Sequence, residues 1–412
     1  MSRLGSENAL NKQLPRIRRA VTATALALSL SSSTFAQSIS ATLPWTGTWS
    51  AAPMSIGNGG FNNQTIRQIV HTSIGGTALG VQFSNLYGSD PLVIGDVHVA
   101  LRASGQRTVP GSDKAVTFDG QSFVTIPPGR AMMSDPVAFQ VPALTDIVVS
   151  AYLPQQTPGD TTGHVDGLQD VYIAPGDVSA DTNFTGGVVN ALGAQSYYFL
   201  TDVVVQNASA TGVVVAFGAS ITDGLASQPN INGRWPNLLA ARLQQAGMTV
   251  GVLNQGISGN DFFTNGSGEA GLTRFQRDVL DQYNVKWVII SDDAVNSLIG
   301  GAPPTAARLN SAFSELAQSA HAAGVRVICS TLTPFEGVSS WTPDIEATRA
   351  AVNAFVATAG SGCDAVLDQA AALSDPSNPP VMLGAYDSGD HLHPNQAGLQ
   401  AIANSVNLGW LK

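Results

Sequence analysis

The first half of the chain alternates apolar and polar residues in short runs. Between residues 44 and 206 the period is two, as in the stretches 79–83, 97–101 and 147–153. Segments rich in glycine, proline, serine and aspartate separate the runs, and no convincing helical period lies between them. Many short strands at close spacing predict an antiparallel β-sandwich or jelly roll.

The pattern changes after residue 211, where apolar runs alternate with segments of helical period. The runs predicted to be buried strands lie at 213–217, 250–253, 287–290, 325–330 and 364–367. The helical segments between them lie at 234–246, 271–283, 305–323 and 343–358. Such alternation predicts a doubly wound parallel sheet with helices on both faces. We therefore predict an all-β domain at 37–208 followed by a three-layer α/β domain at 209–412.

The first 36 residues have the pattern of a secretory signal peptide. Arg16, Arg18 and Arg19 precede an apolar run at 20–30, and small residues then lead to a cleavage site after Ala36. The run is too short to span a bilayer stably, and no later stretch approaches the roughly 18 apolar residues of a membrane span. The sequence thus predicts an exported protein, secreted or periplasmic, without stable membrane insertion.

The charge balance argues against one class of partner. Residues 37–412 hold 14 of the 19 basic and 28 of the 29 acidic residues, which gives this part a net charge of −14. Nucleic acids and anionic membranes bind surfaces with clustered cations. We therefore expect no nucleic-acid partner.

Cys329 and Cys363 are the two cysteines of the chain, and they could pair in an oxidising compartment. Cys329 lies near the end of one predicted strand and Cys363 at the start of the next. In adjacent parallel strands those positions are staggered, and Cα atoms more than about 7 Å apart cannot be bridged. The prediction is two buried free thiols, with a disulfide as the alternative.

Residues capable of catalysis follow three successive predicted strands of the second half. Ser220, Gly256 and Asn296 come after the first, second and third strand. In an open α/β sheet, ligands bind beyond the carboxyl ends of the strands. A serine hydroxyl there could attack a substrate, and a backbone N–H or an amide could stabilise an oxyanion. Taken singly, each residue is more typical of a turn or a helix cap than of a catalytic site.

The C-terminal stretch 386–395 makes the interpretation specific. Asp390 precedes His393 by three residues, a spacing that can orient the imidazole as a general base towards a serine. In order along the chain, the four conserved blocks of the SGNH, or GDSL-type, serine hydrolases resemble Gly218-x-Ser220, Asn254-x-Gly256, Asn296 and Asp390-x-x-His393. The connecting sequence looks like that of secreted members with an N-terminal β domain.

This resemblance implies a role for each matching residue. Ser220 would be the nucleophile, His393 its base and Asp390 the group that orients the histidine. The oxyanion hole would consist of the N–H of Ser220, the N–H of Gly256 and the side chain of Asn296. The resemblance implies no metal and no organic cofactor.

Two positions depart from the family pattern. Ala219 stands where the first block usually has an aspartate, and this loss is expected to loosen the nucleophile loop. The third block fits only if one extra residue is admitted before Asn296, with Asp293 and Ser291 as less suitable occupants of the oxyanion site.

We therefore expect a secreted esterase that acts on short-chain acyl esters or on the O-acetyl groups of a polysaccharide. The alternatives are a non-catalytic carbohydrate-binding protein on a hydrolase scaffold and an acyltransferase with the same triad. The remaining histidines show no metal-ligand spacing and are interpreted as structural: His71, His98, His164, His321 and His391.

Overall fold

The computed structural model of the protein describes residues 44–57, 59–188 and 195–412. The predicted signal peptide at 1–36 lies outside the described residues. Among the helices of the described residues, none combines the length and the hydropathy that a membrane span requires.

The β region contains the following strands in chain order: β1 (Trp45–Ser50), β2 (Met54–Ser55), β3 (Gln64–His71), β4 (Gly76–Asn85), β5 (Leu92–Ile94), β6 (Asp96–Ser104), β7 (Arg107–Thr108), β8 (Lys114–Val116), β9 (Val124–Ile126), β10 (Arg130–Met133), β11 (Val137–Val141), β12 (Asp146–Leu153), β13 (Thr162–His164), β14 (Val171–Pro175), β15 (Gly187–Val188), β16 (Tyr197–Tyr198) and β17 (Leu200–Gln206). The three alternating stretches singled out in the sequence lie in β4, β6 and β12.

These strands form two main antiparallel sheets. One has the order β1-β17-β4, with β10 and β11 both paired to β4, and the other has the order β15-β14-β3-β12-β6, with β7 and β8 both paired to β6. Alternate side chains of both sheets enter one apolar cluster, which includes Val81, Phe83, Val99 and Val149. The predicted β-sandwich class is confirmed, and the period of two reflects one buried and one outward face.

The second half adds five parallel strands: β18 (Gly212–Gly218), β19 (Val250–Gly256), β20 (Val285–Ile290), β21 (Arg326–Ser330) and β22 (Ala365–Leu367). Their order in the sheet is β19-β18-β20-β21-β22, so that the chain reverses direction across the sheet at β18. A short antiparallel pair, β23 (Ser374–Asp375) and β24 (Asn378–Met382), follows.

The helices are α1 (Ser220–Asp223), α2 (Trp235–Gln245), α3 (Gly271–Phe275), α4 (Asp293–Ile299), α5 (Ala306–Ala322), α6 (Pro343–Val356), α7 (Gln369–Leu373) and α8 (Gln396–Ser405). A π-helical turn (Gln276–Leu280) continues α3, and 3-10 turns lie at Ala359–Ser361 and Leu408–Leu411. Helix α6 begins at Pro343, the first residue of the predicted segment 343–358, and the preceding Thr342 caps it: the Thr342 hydroxyl accepts a hydrogen bond from the N–H of Ile345 at 3.2 Å.

Helices cover both faces of the parallel sheet, as the α/β prediction requires. Val215 and Phe217 of β18 enter an apolar cluster that contains residues of α3, α4, α5 and α6. Val214 and Ala216 point the other way, into a cluster that contains residues of α2, α7 and α8. Burial on both faces explains why β18 reads as an uninterrupted apolar run.

The β region packs directly against the parallel sheet. The N–H of Gly47 in β1 donates to the Tyr283 carbonyl at 3.2 Å, and the N–H of Val252 in β19 donates to the Ser73 hydroxyl at 3.0 Å. The predicted boundary at 208–209 falls in the turn between β17 and β18. That the two parts are separate domains stays a prediction.

The prediction of two free thiols is wrong, because Cys329 and Cys363 form a disulfide with Cα atoms 5.7 Å apart. The prediction placed Cys363 at the start of a strand at 364–367, but β22 begins only at Ala365. Gly362, with a φ of 80°, turns the chain just before the cysteine. Cys363 is therefore not held to the stagger of the two parallel strands and can reach the buried Cys329.

Loss of this disulfide is expected to lower stability without loss of activity at ambient temperature. It joins residues 34 positions apart, which by loop-closure entropy corresponds to about 3–4 kcal/mol. Cys363→Ala should lower the thermal unfolding midpoint, and reduction of the unmodified protein, as the control, should lower it by a similar amount. An unchanged midpoint in both cases would contradict a stabilising role.

Candidate active site

The candidate site lies at the carboxyl end of β18, where the strand order reverses. In sheets of this kind the crevice between the strands flanking the reversal is the place where ligands bind. Ser220 is the first residue of α1 and directly follows this strand end. The neighbouring strands β19 and β20 bring Gly256 and α4 to the same edge.

Three side chains at this edge form a continuous chain of hydrogen bonds. His393 Nε2 lies 2.8 Å from Ser220 Oγ, and His393 Nδ1 lies 2.6 Å from Asp390 Oδ2. Ser220 is only 5% exposed. The structure thus brings together all three residues of the predicted triad.

The turn before α8 holds the histidine in place. Asp390 Oδ1 accepts hydrogen bonds from the N–H groups of Leu392 at 2.9 Å and of His393 at 2.8 Å. These two backbone groups hold the carboxylate in place. Burial acts to raise the pKa of Asp390, but these bonds and the bond from the His393 ring outweigh it and lower the pKa to about 2. The carboxylate therefore stays ionised and keeps the proton of His393 on Nδ1, which leaves Nε2 to accept the proton of the Ser220 hydroxyl.

Asp292 holds the turn that carries the nucleophile. Its carboxylate is 3% exposed and accepts hydrogen bonds from the N–H of Ala219 at 3.0 Å, the N–H of Ile221 at 2.7 Å and the Thr222 hydroxyl at 2.5 Å. Gly218 permits this approach, because a Cβ there would lie 2.3 Å from Asp292 Oδ1. A carboxylate that follows the neighbouring strand β20 thus holds this turn. That the loss of the usual aspartate at position 219 loosens the loop stays a prediction.

Gly256 lets the end of β19 approach α1 closely. A Cβ at this position would lie 2.3 Å from the backbone nitrogen of Asp223. The N–H of Gly256 donates to Asn254 Oδ1 at 2.9 Å, and Asn254 Nδ2 donates to the Thr222 carbonyl at 2.9 Å. The second conserved block, Asn254-x-Gly256, is thus hydrogen-bonded to the helix that begins with Ser220.

Asn296 lies on α4 and is half-buried. Its Nδ2 donates to the Asn260 carbonyl at 2.8 Å, and within residues 44–57, 59–188 and 195–412 no hydrogen bond joins it to Ser220 or His393. The two less suitable occupants have other partners. The Ser291 hydroxyl bonds Gln369, and Asp293 contacts Arg274 at 3.3 Å.

Asn296→Ala is expected to lower kcat by on the order of 10²- to 10³-fold with little change in KM, because an oxyanion donor acts on charge that appears only in the transition state. Initial rates on p-nitrophenyl acetate measure both constants. Ser291→Ala is the matched control and should have a much smaller effect. If that control collapses kcat while Asn296→Ala does not, the third block must be realigned.

Arg274 is a fully buried cation that joins all three strand ends. Its guanidinium donates to one side-chain amide, two backbone carbonyls and two carboxylates: Asn260 Oδ1, the Gln255 and Gly218 carbonyls, Asp278 and Asp293. It also lies over the Phe217 ring, 4.1 Å from the centroid. Sequence reasoning did not single out Arg274 or Asp292, although both hold the residues that it did.

The second histidine of the C-terminal turn is directed elsewhere. His391 Nδ1 lies 2.9 Å from Asp387 Oδ2, and the His391 side chain is 52% exposed. The pairing with Asp387 that the spacing allows is thus present, but the imidazole beside Ser220 belongs to His393.

Residues 216–401 match the sequence profile of the GDSL-like Lipase/Acylhydrolase family. The matched segment contains Ser220, Gly256, Asn296, Asp390 and His393. Among curated protein sequences, none matches the chain.

Solved structures similar to the chain cover about half of it. An acetyl xylan esterase has 20% identity and a TM-score of 0.36, over 47% of this chain and 96% of that one. A GDSL-like lipase from Bacteroides thetaiotaomicron has 16% identity and a TM-score of 0.35, over 47% and 84%. A carbohydrate acetylesterase from Sinorhizobium meliloti has 13% identity and a TM-score of 0.39, over 49% and 100%.

Proposed function

We propose that this chain is an ester-hydrolysing enzyme that works through an acyl-enzyme at Ser220. Its residues 216–401 match the GDSL-like lipase/acylhydrolase family. The observation that carries the proposal is the hydrogen-bonded chain from Ser220 Oγ through His393 to Asp390, with links of 2.8 and 2.6 Å. Nucleophile, base and orienting carboxylate in that geometry are what acyl transfer needs.

In the first step His393 Nε2 takes the Ser220 proton while Oγ bonds to the ester carbonyl carbon. The carbonyl oxygen becomes an oxyanion. When the intermediate collapses, the carbon–alcohol bond breaks and the alcohol leaves with the proton from His393. Water then attacks the acyl-serine in the same way, giving its proton to His393, which returns it to Ser220 Oγ as the acid departs.

The N–H of Ser220 and the amide of Asn296 would stabilise the oxyanion, and the N–H of Gly256 would join them by exchanging its present acceptor, Asn254 Oδ1 at 2.9 Å, for the substrate oxygen. Within the described residues, the N–H groups of Ala219, Ile221 and Thr222 donate to Asp292, whereas the N–H of Ser220 does not. The N–H of Ser220 is therefore available to donate a hydrogen bond to a substrate oxygen.

The substrate class follows from the burial of the nucleophile and the exposure around its base. Ser220 is 5% exposed, which suits a small acyl group, whereas the side chain of Asp390 is 51% exposed and that of His391 52%. A bulky alcohol could project through that open side. We therefore favour short-chain acyl esters or O-acetyl groups of a polysaccharide.

We also place the enzyme outside the cytoplasm. Residues 1–36 have the signal-peptide pattern, and the Cys329–Cys363 disulfide suits an oxidising compartment.

A fluorophosphonate probe together with an ester series tests the proposal. We expect labelling of Ser220 in the folded protein, absent in Ser220→Ala and unchanged in Ser311→Ala, a control at an exposed serine on α5. Rates on p-nitrophenyl esters from acetate to palmitate should fall with chain length, and acetylated xylan, pectin and mannan should release acetate. Absence of labelling at Ser220 would overturn the acyl-enzyme proposal, and a preference for palmitate would overturn the substrate class.

The rate is expected to rise with pH, because only a neutral imidazole can accept the Ser220 proton. Asp390, with a pKa of about 2, stays ionised throughout that range and does not shape the profile. The measurement is kcat/KM for p-nitrophenyl acetate from about pH 5 to 8, where histidines ordinarily titrate. A flat profile under acylation-limited conditions would contradict a histidine base.

A further inference from the structure

A histidine of the β region lies against the helix that carries the nucleophile. His164, the last residue of β13, is 2% exposed, and its Nε2 lies 3.0 Å from Asp223 Oδ1. Asp223 is fully buried and ends α1, three residues after Ser220. The β region thus contacts the nucleophile helix through the His164 side chain.

Both nitrogens of this ring face hydrogen-bond acceptors. Nδ1 lies 2.9 Å from the Ala52 carbonyl, and Nε2 faces the Asp223 carboxylate. Each nitrogen of the ring thus faces one acceptor. Among the described residues, the Arg234 guanidinium also faces this carboxylate, with Nη1 4.0 Å from Asp223 Oδ1.

The second oxygen of Asp223 holds the loop that follows Gly256. Asp223 Oδ2 accepts hydrogen bonds from the Ser258 N–H at 3.1 Å and the Ser258 hydroxyl at 2.8 Å. Gly256 itself touches Asp223, where an added Cβ would lie 2.3 Å from the backbone nitrogen. The Asp223 carboxylate therefore links the helix that begins with Ser220 to the loop that follows Gly256.

We propose that His164 is a positioning residue for the oxyanion hole, so that the β region supplies part of the active site. The proposal rests on the acyl-enzyme function above. His164 touches neither Ser220 nor substrate and acts by holding Asp223, which aligns the two backbone donors. A displacement of about 1 Å in such a donor can cost on the order of 10²-fold in rate.

Two substitutions separate this role from simple packing. Glutamine places its amide nitrogen near the position of histidine Nε2 and can still donate to Asp223, whereas asparagine places its nitrogen near Nδ1 and can donate only to the Ala52 carbonyl. We expect His164→Gln to keep kcat within about 3-fold. His164→Asn should lower kcat by about 10- to 100-fold with KM within about 3-fold of its original value.

The matched control is His98→Asn. His98 is a half-buried histidine of the β region whose nitrogens contact two carboxylates, Asp113 at 2.7 Å and Asp96 at 3.3 Å. It should leave kcat unchanged. Equal kcat for His164→Gln and His164→Asn in an active protein would overturn the positioning role alone. Failure of the unmodified protein to hydrolyse any ester would overturn the acyl-enzyme function and this inference together.

Ser258→Ala provides a test that does not depend on the folding of the His164→Asn variant. It removes the hydroxyl contact on the other side of Asp223 and should lower kcat by about 3- to 10-fold without raising KM. Because both groups act through one carboxylate, the double variant with His164→Asn should lose less than the product of the two single effects. An unchanged kcat in Ser258→Ala would overturn the link from Asp223 to the Gly256 loop and with it the proposal.

Discussion

Ser220→Ala is expected to lower kcat by on the order of 10⁴- to 10⁶-fold, because the proposed acyl-enzyme forms on Ser220 Oγ. His393→Ala should cost a similar factor, since Ser220 Oγ lies 2.8 Å from His393 Nε2 and each is ineffective without the other. The Ser220→Ala/His393→Ala double variant should be no worse than either single one. Steady-state kinetics on p-nitrophenyl acetate measure all three.

The control for these variants is Ser311→Ala, which should retain the full rate, and their thermal midpoints should show that each variant is folded. A Ser220→Ala variant that retains a tenth of kcat would contradict the nucleophile assignment. A double variant that loses the product of the two single factors would show that Ser220 and His393 act separately, against the hydrogen-bonded chain.

The α/β framework could be predicted because its strands are buried on both faces. The apolar run at 213–217 became β18 (Gly212–Gly218) with one residue added at each end, and its two sets of side chains enter separate clusters. Two of the triad candidates could also be predicted, because Asp390 and His393 are only three residues apart in the sequence. Recognising such a pair does not require knowing how distant strands align.

The groups that hold the site could not be predicted in the same way. Asp292 precedes α4 and reads as a helix cap, yet its side chain caps no helix N–H of α4 and turns instead to the Ser220 loop 70 to 73 positions away. The sequence feature that could have indicated this role is the pair of adjacent acidic residues, Asp292 and Asp293, just after an apolar strand. The partner that such a carboxylate meets depends on the register of β18 against β20, which local pattern does not specify.

Arg274→Met is expected to destabilise the protein by about 3–5 kcal/mol, because it leaves the buried Asp293 carboxylate without its cation, whereas Asp278 keeps Arg277 at 2.6 Å. The loss should be larger at pH 8 than at pH 5. Burial raises the pKa of Asp293 to about 7 against the opposing effect of Arg274. The folded state therefore keeps a proton that the unfolded chain releases above about pH 4, and stability falls as pH rises between those values. Without the arginine the pKa rises further and the fall extends to higher pH.

Arg274→Lys separates charge from geometry. Lysine keeps the cation but cannot reach the Gly218 and Gln255 carbonyls together with the carboxylates, since it lacks the planar fork of guanidinium donors. We expect it to recover most of the stability at pH 8 while kcat stays about 10- to 100-fold low with KM little changed. Thermal midpoints at the two pH values and kinetics on p-nitrophenyl acetate are the measurements. Full activity in a folded Arg274→Lys variant would mean that the charge alone supports the site, and that the bonds to the strand-end carbonyls do not align Ser220 with Gly256.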